Sequence, residues 1–542
     1  MFSIISRPFR FSQTLLLFVA AVVCSSIAVT GVYGQTKSAA EGDLFHNEDC
    51  TNFFYYKKFS DGNAAATIER FVDVMADAGV TTYLCNTNAR RTNYDSSVWN
   101  SFWEGYDPDG PDDQPFLRSI EKESVGKYRQ LVGNMLALHE QGIDFPSAVI
   151  KRCRERAISP WITLRMNDCH LNTQLNHPFH GDFWRNKPQF IRKNATGYFA
   201  NCLDYAHPEV RDYFMALIVE TLDRFDIDGL ELDFMREPYL FSVGEEKEGE
   251  RLLTAWIGQV RKKIDAAAIK RGHPIRFGVR VPSHPDTAKR LGMDSIAWAK
   301  SGWIDVLVPT PRWATLEFDM PLVEWRAALE GTKTKLLGGL EVRYQPCYTA
   351  AAATVTSEMA TAAAVSVLSR GADAVYLFNY FQDGHPAWNP DVFQTTLRAM
   401  KSLDVLLEKP RRYCVSYRDI IGPGEAYHPP LPKSGNEIHF SLSTGPISNH
   451  RISRDEVVCE LLIGLPIARE TPLPAPSIEI NGKSCKLLSD TTPDKPAKNA
   501  ERTITYLVSS EALKPSGFQE VKISAKDSVP ITIQRVEMLI EN

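Results

Sequence analysis

The sequence predicts an α/β protein, a (β/α)8 TIM barrel over residues 42–408 followed by an all-β, sandwich-type accessory domain over 411–542. Three observations lead there. From about residue 44 to 400, short apolar β-branched runs alternate with amphipathic helical stretches. Eight such runs can be counted. After Pro410 the helical period fades, and alternating runs are separated by Pro, Gly, Ser and Asn.

The chain begins with a basic "RPFR" and an apolar "TLLLFVAAVVCSSIAVTGVYG". This is the pattern of a secretory signal peptide over 1–34, with cleavage after Gly34. An uncleaved N-terminal membrane anchor is the alternative, since the run is about long enough to span a bilayer. The expected location is therefore secreted or periplasmic, with no stable membrane insertion once the leader is removed. Past the leader nine cysteines remain, none in a CxxC pair, so a zinc ribbon is not expected. Export permits disulfides. Asn194-Ala195-Thr196 matches the glycosylation sequon, a pattern common by chance.

The strands follow in order: "GDLFHNED" (42–49), "VTTYLCNTN" (80–88), "SPWITLRMND" (159–168), "IDGLELDFM" (227–235), "IRFGVRVPS" (275–283), "IDVLVPTPR" (304–312), "KLLGGLEVR" (335–343) and "DAVYLFNYF" (373–381). Between them, "NAAATIERFVDVMADAG" stops at Gly79 and "SEMATAAAVSVLSRGA" ends near Gly371, both helix C-terminal signals. "HPEVRDYFMALIVETLDRF" opens with Pro just inside its start. No GxGxxG follows the first strand, which counts against a doubly wound sheet. The long segments 91–120 and 168–200 fall where βα loops wall a barrel mouth.

Side chains alternate across a strand, so Gly229, Glu231 and Asp233 share a face while Leu230, Leu232 and Phe234 share the other. The apolar set suits the layer under the helices. The acidic set then points into the barrel, at the end where polar residues line a site. The same count groups Gly339, Glu341 and Arg343; Thr163, Arg165 and Asn167; and Gly278, Arg280 and Pro282, with His284 beyond. Strand 8 offers Asn379, and strand 2 offers Asn86. Two carboxylates across a cleft are what glycosidic bond cleavage needs, one as acid and one as nucleophile or base. As internal salt bridges, Glu231–Arg165 and Glu341–Arg343 would instead shape the barrel.

"DYAHPEVRDYF", "FDIDGLELDFMREP", "VRVPSHP" and "WIDVLVPTPRW" resemble the glycosyl hydrolase-like family 10 group of secreted bacterial proteins. The resemblance covers roughly residues 44–400 and implies a TIM barrel and a glycoside hydrolase, without a settled substrate. Family-18 chitinases place their acid where this chain has Met235, a thioether that cannot donate a proton, so their chemistry is not expected here. In the clan with Glu at the ends of strands 4 and 7, the strand 7 Glu is the nucleophile, and Glu341 matches its place. In other barrel hydrolases an Asp ending strand 4 attacks, as Asp233 would.

Asp233 and Glu341 are thus the expected working pair, with Glu231 third or an electrostatic partner of Arg165. Substrate contacts are expected from Asn86, Arg165, Asn167, Arg236, Arg280, His284, Arg312, Trp313, Arg343 and Asn379. Guanidinium forks suit carboxylate or sulfate groups, so a polysaccharide substrate could be anionic or sulfated; the alternative is that these arginines only neutralise the acids. Trp184, Trp313 and Trp388 are candidates to stack on sugar faces. No cofactor is expected. A metal-dependent hydrolase draws only on scattered histidines (His46, His170, His177, His180, His207, His284), with no HExxH. A non-catalytic glycan-binding barrel is the other alternative. The net charge of −5 does not call for nucleic acid. Oligomeric state is not legible.

Overall fold

The computed structural model describes residues 42–57, 62–171, 174, 176–382, 386, 388–467, 473–493, 500–526 and 529–541. The leader expected over 1–34 lies outside the described residues. Eight parallel strands close a barrel in chain order: β1 Leu44–Asn47, β2 Thr82–Asn86, β3 Ser159–Arg165, β4 Gly229–Asp233, β5 Arg276–Pro282, β6 Val306–Thr310, β7 Lys335–Leu340 and β8 Ala374–Phe378. β1 closes on β8 with Leu44 opposite Val375.

The barrel interior is filled from below. Phe45, Leu84, Trp161, Val306, Val308, Leu337, Ala374, Tyr376 and Phe378 form a separate buried cluster inside it. Trp161 occupies so much of that space that a Cβ on Gly229 would lie 2.2 Å from its ring. The small residue at the head of β4 is therefore the price of the tryptophan across from it. Glu231 and Asp233 continue the same inward face.

Strand 7 ends earlier than its sequence pattern. β7 stops at Leu340, Glu341 follows it, and Arg343–Tyr344 pair instead with Ala353–Thr354 in a short antiparallel ribbon. Arg343 therefore does not continue the face of Glu341.

From Arg411 on, every strand is antiparallel. A five-stranded sheet runs in the order Arg411–Cys414, Arg535–Glu541, Val458–Pro466, Glu501–Val508 and Lys486–Thr491. A four-stranded sheet runs Glu437–Ser443, Phe518–Ser524, Ser477–Ile480 and Lys483–Ser484. The helix Ser357–Ser369 is buried at every position from Met359 to Val367, because it packs on both the barrel and strand Arg411–Cys414. Gly445 approaches this helix so closely that a Cβ there would meet Val365 at 2.2 Å. Residues 41–542 form one unit. Among the described residues no helix is long and apolar enough to cross a membrane.

Candidate functional site at the barrel mouth

Asp233 ends β4 and faces Arg280 of β5, its register partner. Arg280 Nη1 lies 3.1 Å from Asp233 Oδ2, and both side chains are almost wholly buried. The Met235 N–H also donates to Asp233 Oδ1, at 2.9 Å. Arg280 stacks 3.9 Å over the Phe378 ring. Burial works against its charge, and Asp233, Tyr376, Glu341 and Glu231 together outweigh that.

Glu341 stands one residue past β7 and is 1% exposed. Its Oε1 accepts the Val342 N–H at 3.0 Å, while Oε2 has no partner among the described residues. Burial pushes this carboxyl up to about 8, against the pull of Arg280, the Val342 N–H and Arg236. It therefore holds a proton at neutral pH. Arg280 thus bears both on an ion-paired carboxylate and on one that burial raises, and acid-assisted bond cleavage needs two carboxyls set apart in this way.

Glu231 lies one layer deeper. Its Oε1 accepts from Asn47 Nδ2 at 3.0 Å, Thr163 Oγ1 at 2.8 Å and Tyr376 OH at 2.7 Å. Burial and then the Asp233 charge raise it above the ordinary carboxylate range. Arg165 is not its partner. Arg165 instead bridges Asp49 at 2.7 Å and Asp168 at 3.1 Å, because the guanidinium extends toward the loops after β1 and β3 rather than down the barrel.

The remaining arginines divide. Arg236 is 3% exposed, with Nε and Nη1 unpartnered among the described residues and Nη2 3.4 Å from His170 Nε2. Arg280 likewise leaves Nε and Nη2 unpartnered. Arg312 pairs through Nε with buried Glu237 and stacks on Tyr198 and Phe199, joining the loops after β3, β4 and β6. Arg343 does not pair with Glu341; its guanidinium lies 4.1 Å over the Trp313 ring.

Asn167 is committed to Leu203, accepting its N–H at 2.8 Å and donating to its carbonyl at 2.9 Å. Asn86 donates to the Thr163 carbonyl at 2.9 Å, deep in the barrel wall. His284 Nε2 lies 2.8 Å from Glu317 Oε1, whose other oxygen accepts from Ser283 at 2.7 Å. Asn379 is half-buried with φ +61 and an unpartnered Oδ1.

Of the tryptophans, Trp313 is 42% exposed. Trp184 is buried between His180 and Arg90, while Trp388 is half-buried, packs against Tyr380 and Phe393 and donates its N–H to the Val355 carbonyl. Tyr198 and Tyr348, 45% and 58% exposed, are aromatic surfaces that the strand count did not reach, since both sit in loops.

The sequence reading also missed four acids. Asp49 and Asp168 hold Arg165, and Glu237 holds Arg312. The "NED" at the end of the first strand was a usable signal for Asp49. The fourth, Asp419, comes from the segment after strand Arg411–Cys414. Its carboxylate accepts the N–H groups of Arg312 at 3.0 Å, and of Trp313 and Ala314 at 2.8 Å. The same segment reaches Gln345 through Tyr417 OH at 2.6 Å and receives Tyr239 OH on the Ile421 carbonyl at 3.3 Å. The β-rich part thus sends a strap to the barrel mouth. Among the described residues, no group of three or more His, Cys, Asp or Glu is placed to hold a metal ion.

Fold and site define a closed (β/α)8 barrel with buried carboxylates and arginines at the ends of its strands. Residues 123–250 match the model of the glycosyl hydrolase-like 10 family, the group its strand 4 motif resembles; the match contains Glu231, Asp233, Arg236 and Glu237. No curated protein matches. Among solved structures, the glycoside hydrolase domain of PgaB (BpsB) from Bordetella bronchiseptica is 10% identical with a TM-score of 0.41, covering 67% of this chain and 99% of that one. The noncanonic maltogenic α-amylase AmyB from Thermotoga neapolitana is 10% identical with a TM-score of 0.36, covering 88% and 98%. The GH36 α-galactosidase AgaA from Geobacillus stearothermophilus is 13% identical with a TM-score of 0.36, covering 90% and 56%. This chain also spans only 58% of the Paenibacillus cycloisomaltooligosaccharide glucanotransferase it resembles. These likenesses are too distant to carry any argument about the site.

Proposed function

We propose that the protein is a glycoside hydrolase acting on an anionic polysaccharide, with Asp233 and Glu341 as the working carboxylates. The observation that carries this reading is Arg280, which is ion-paired with Asp233 and acts on the charge of Glu341, whose carboxyl burial pushes up to about 8. Glu341 then supplies the proton to the leaving oxygen, and Asp233 acts as the ionised partner. The N–H groups of Arg236 and Arg280 without partners support an anionic substrate group, because leaving such buried donors unpaired costs about 1–3 kcal/mol each. Trp313, Tyr198 and Tyr348 supply faces for sugar rings at the rim. Export would bring the enzyme to such polymers.

A second reading is a glycan-binding barrel without turnover. The near-complete burial of Asp233 and Glu341 favours it, since carboxyls that are 1% exposed do not reach a glycosidic bond as they stand. Reducing-end release from neutral, uronic and sulfated polysaccharides separates the two. Release from the acidic polymers supports the first reading. Binding without release supports the second, and release from neutral glycans alone removes the anionic substrate.

A further inference from the structure

We infer that Cys169 and Cys202 form a disulfide that braces the wall of the mouth built from the loop after β3. Both stand as buried thiols. Side-chain hydrogen bonds tie together the two segments that carry them. Asn167, two residues before Cys169, makes a reciprocal pair of hydrogen bonds with Leu203, the residue after Cys202. Arg90 donates to the Asp168 carbonyl and, at 3.3 Å, to the Asn201 carbonyl, so one guanidinium gathers the residues preceding each cysteine. The Arg192 N–H then fixes the Cys202 carbonyl at 3.0 Å.

Between these ties the two thiols meet. The neighbouring Cys202 thiol, more than burial, raises the Cys169 thiol far above its ordinary value, and Cys169 Sγ also donates to the Tyr198 carbonyl at 3.6 Å. No other cysteine has a second thiol as its hydrogen-bond partner among the shifts and bonds of the described residues. A disulfide needs the segments that carry its two cysteines to lie close together, and these ties hold them so.

The bond forms by exchange with a small-molecule or protein disulfide. One cysteine thiolate attacks a sulfur of the oxidant and expels a thiolate. The second cysteine then displaces the remaining half. The two protein thiols lose two electrons and two protons, and the oxidant leaves as two thiols. His170 follows Cys169 directly and faces both Asp168 and Arg236. The bond therefore fixes a segment that touches the site.

The test folds the full chain in a glutathione and glutathione-disulfide buffer, isolates the folded fraction, and unfolds it in acidified denaturant with N-ethylmaleimide to block every remaining thiol before proteolysis and mass spectrometry. Folding in the buffer removes burial as a barrier to the oxidant. The expected result is one cross-linked peptide pair joining Cys169 to Cys202, lighter by two hydrogens, with the other cysteines alkylated. Cys169→Ser and Cys202→Ser each abolish that pair, while Cys50→Ser and Cys85→Ser leave it intact. Alkylation of Cys169 and Cys202 in protein from the folded, oxidised fraction, or their linkage to other cysteines, overturns the inference.

Discussion

Arg280 and Asp233 are register partners on adjacent strands, with Nη1 3.1 Å from Oδ2 and almost no solvent on either. A charge pair this deep is expensive to assemble and more expensive to break, because removing one member leaves the other charged and dry. Arg280→Met is therefore expected to destabilise the fold by about 3–5 kcal/mol. Chemical denaturation measures it. A loss under about 1 kcal/mol, the range of an exposed pair, would mean that water reaches the pair.

Glu341 makes stability depend on pH. Its folded carboxyl is raised from the ordinary range to about 8, and buried Glu48, hydrogen-bonded by Tyr83 OH at 2.9 Å, is raised to about 8 as well. Between pH 5 and 8 the unfolded chain has released these protons and the folded chain has not. The folded state binds more protons, so stability falls as pH rises across that window. Glu341→Gln removes one such proton and should flatten the melting temperature against pH. An unchanged slope in Glu341→Gln counts against burial of an unshared carboxyl there. The rate should also fall as pH passes about 8, since the acid is then spent.

Glu231 serves the barrel more than the substrate. Three donors converge on one oxygen, and the carboxyl is pushed toward its neutral form. Glu231→Gln keeps the shape and an acceptor, so it should fold with a small loss. Glu231→Ala strands Asn47, Thr163 and Tyr376 and should cost at least ~2 kcal/mol. Thermal unfolding of the two variants side by side tests this; equal losses would contradict it.

Asp419 is a positioning residue for the loop after β6. Asp419→Ala removes the acceptor for three successive N–H groups and should free Arg312 and Trp313. The expected outcome is a raised KM with kcat little changed, read from substrate saturation curves. A matching fall in kcat with KM constant would place Asp419 in the chemistry instead.

The barrel was legible because each strand carries its own register. Gly229, Glu231 and Asp233 alternate with Leu230, Leu232 and Phe234, and that period alone assigns inside and outside. All eight strands formed where the pattern put them, with ends shorter by a few residues. The partners of the arginines were not legible. Arg165 finds Asp49 at a separation of 116 positions, and Trp313 finds Asp419 at 106. Strand alternation says which way a side chain leaves the sheet, not where a long guanidinium ends. Arg343 failed for a local reason: β7 stops at Leu340, and Arg343 belongs instead to a two-residue ribbon paired with Ala353–Thr354.

The most direct test is reducing-end release from an acidic polysaccharide by wild type, Asp233→Asn and Glu341→Gln, each with its melting temperature recorded. Both variants are expected to remain folded, Asp233→Asn with a lowered melting temperature, and to lose activity by roughly two orders of magnitude or more. Folded variants that both retain wild-type activity would contradict it and remove Asp233 and Glu341 from the chemistry.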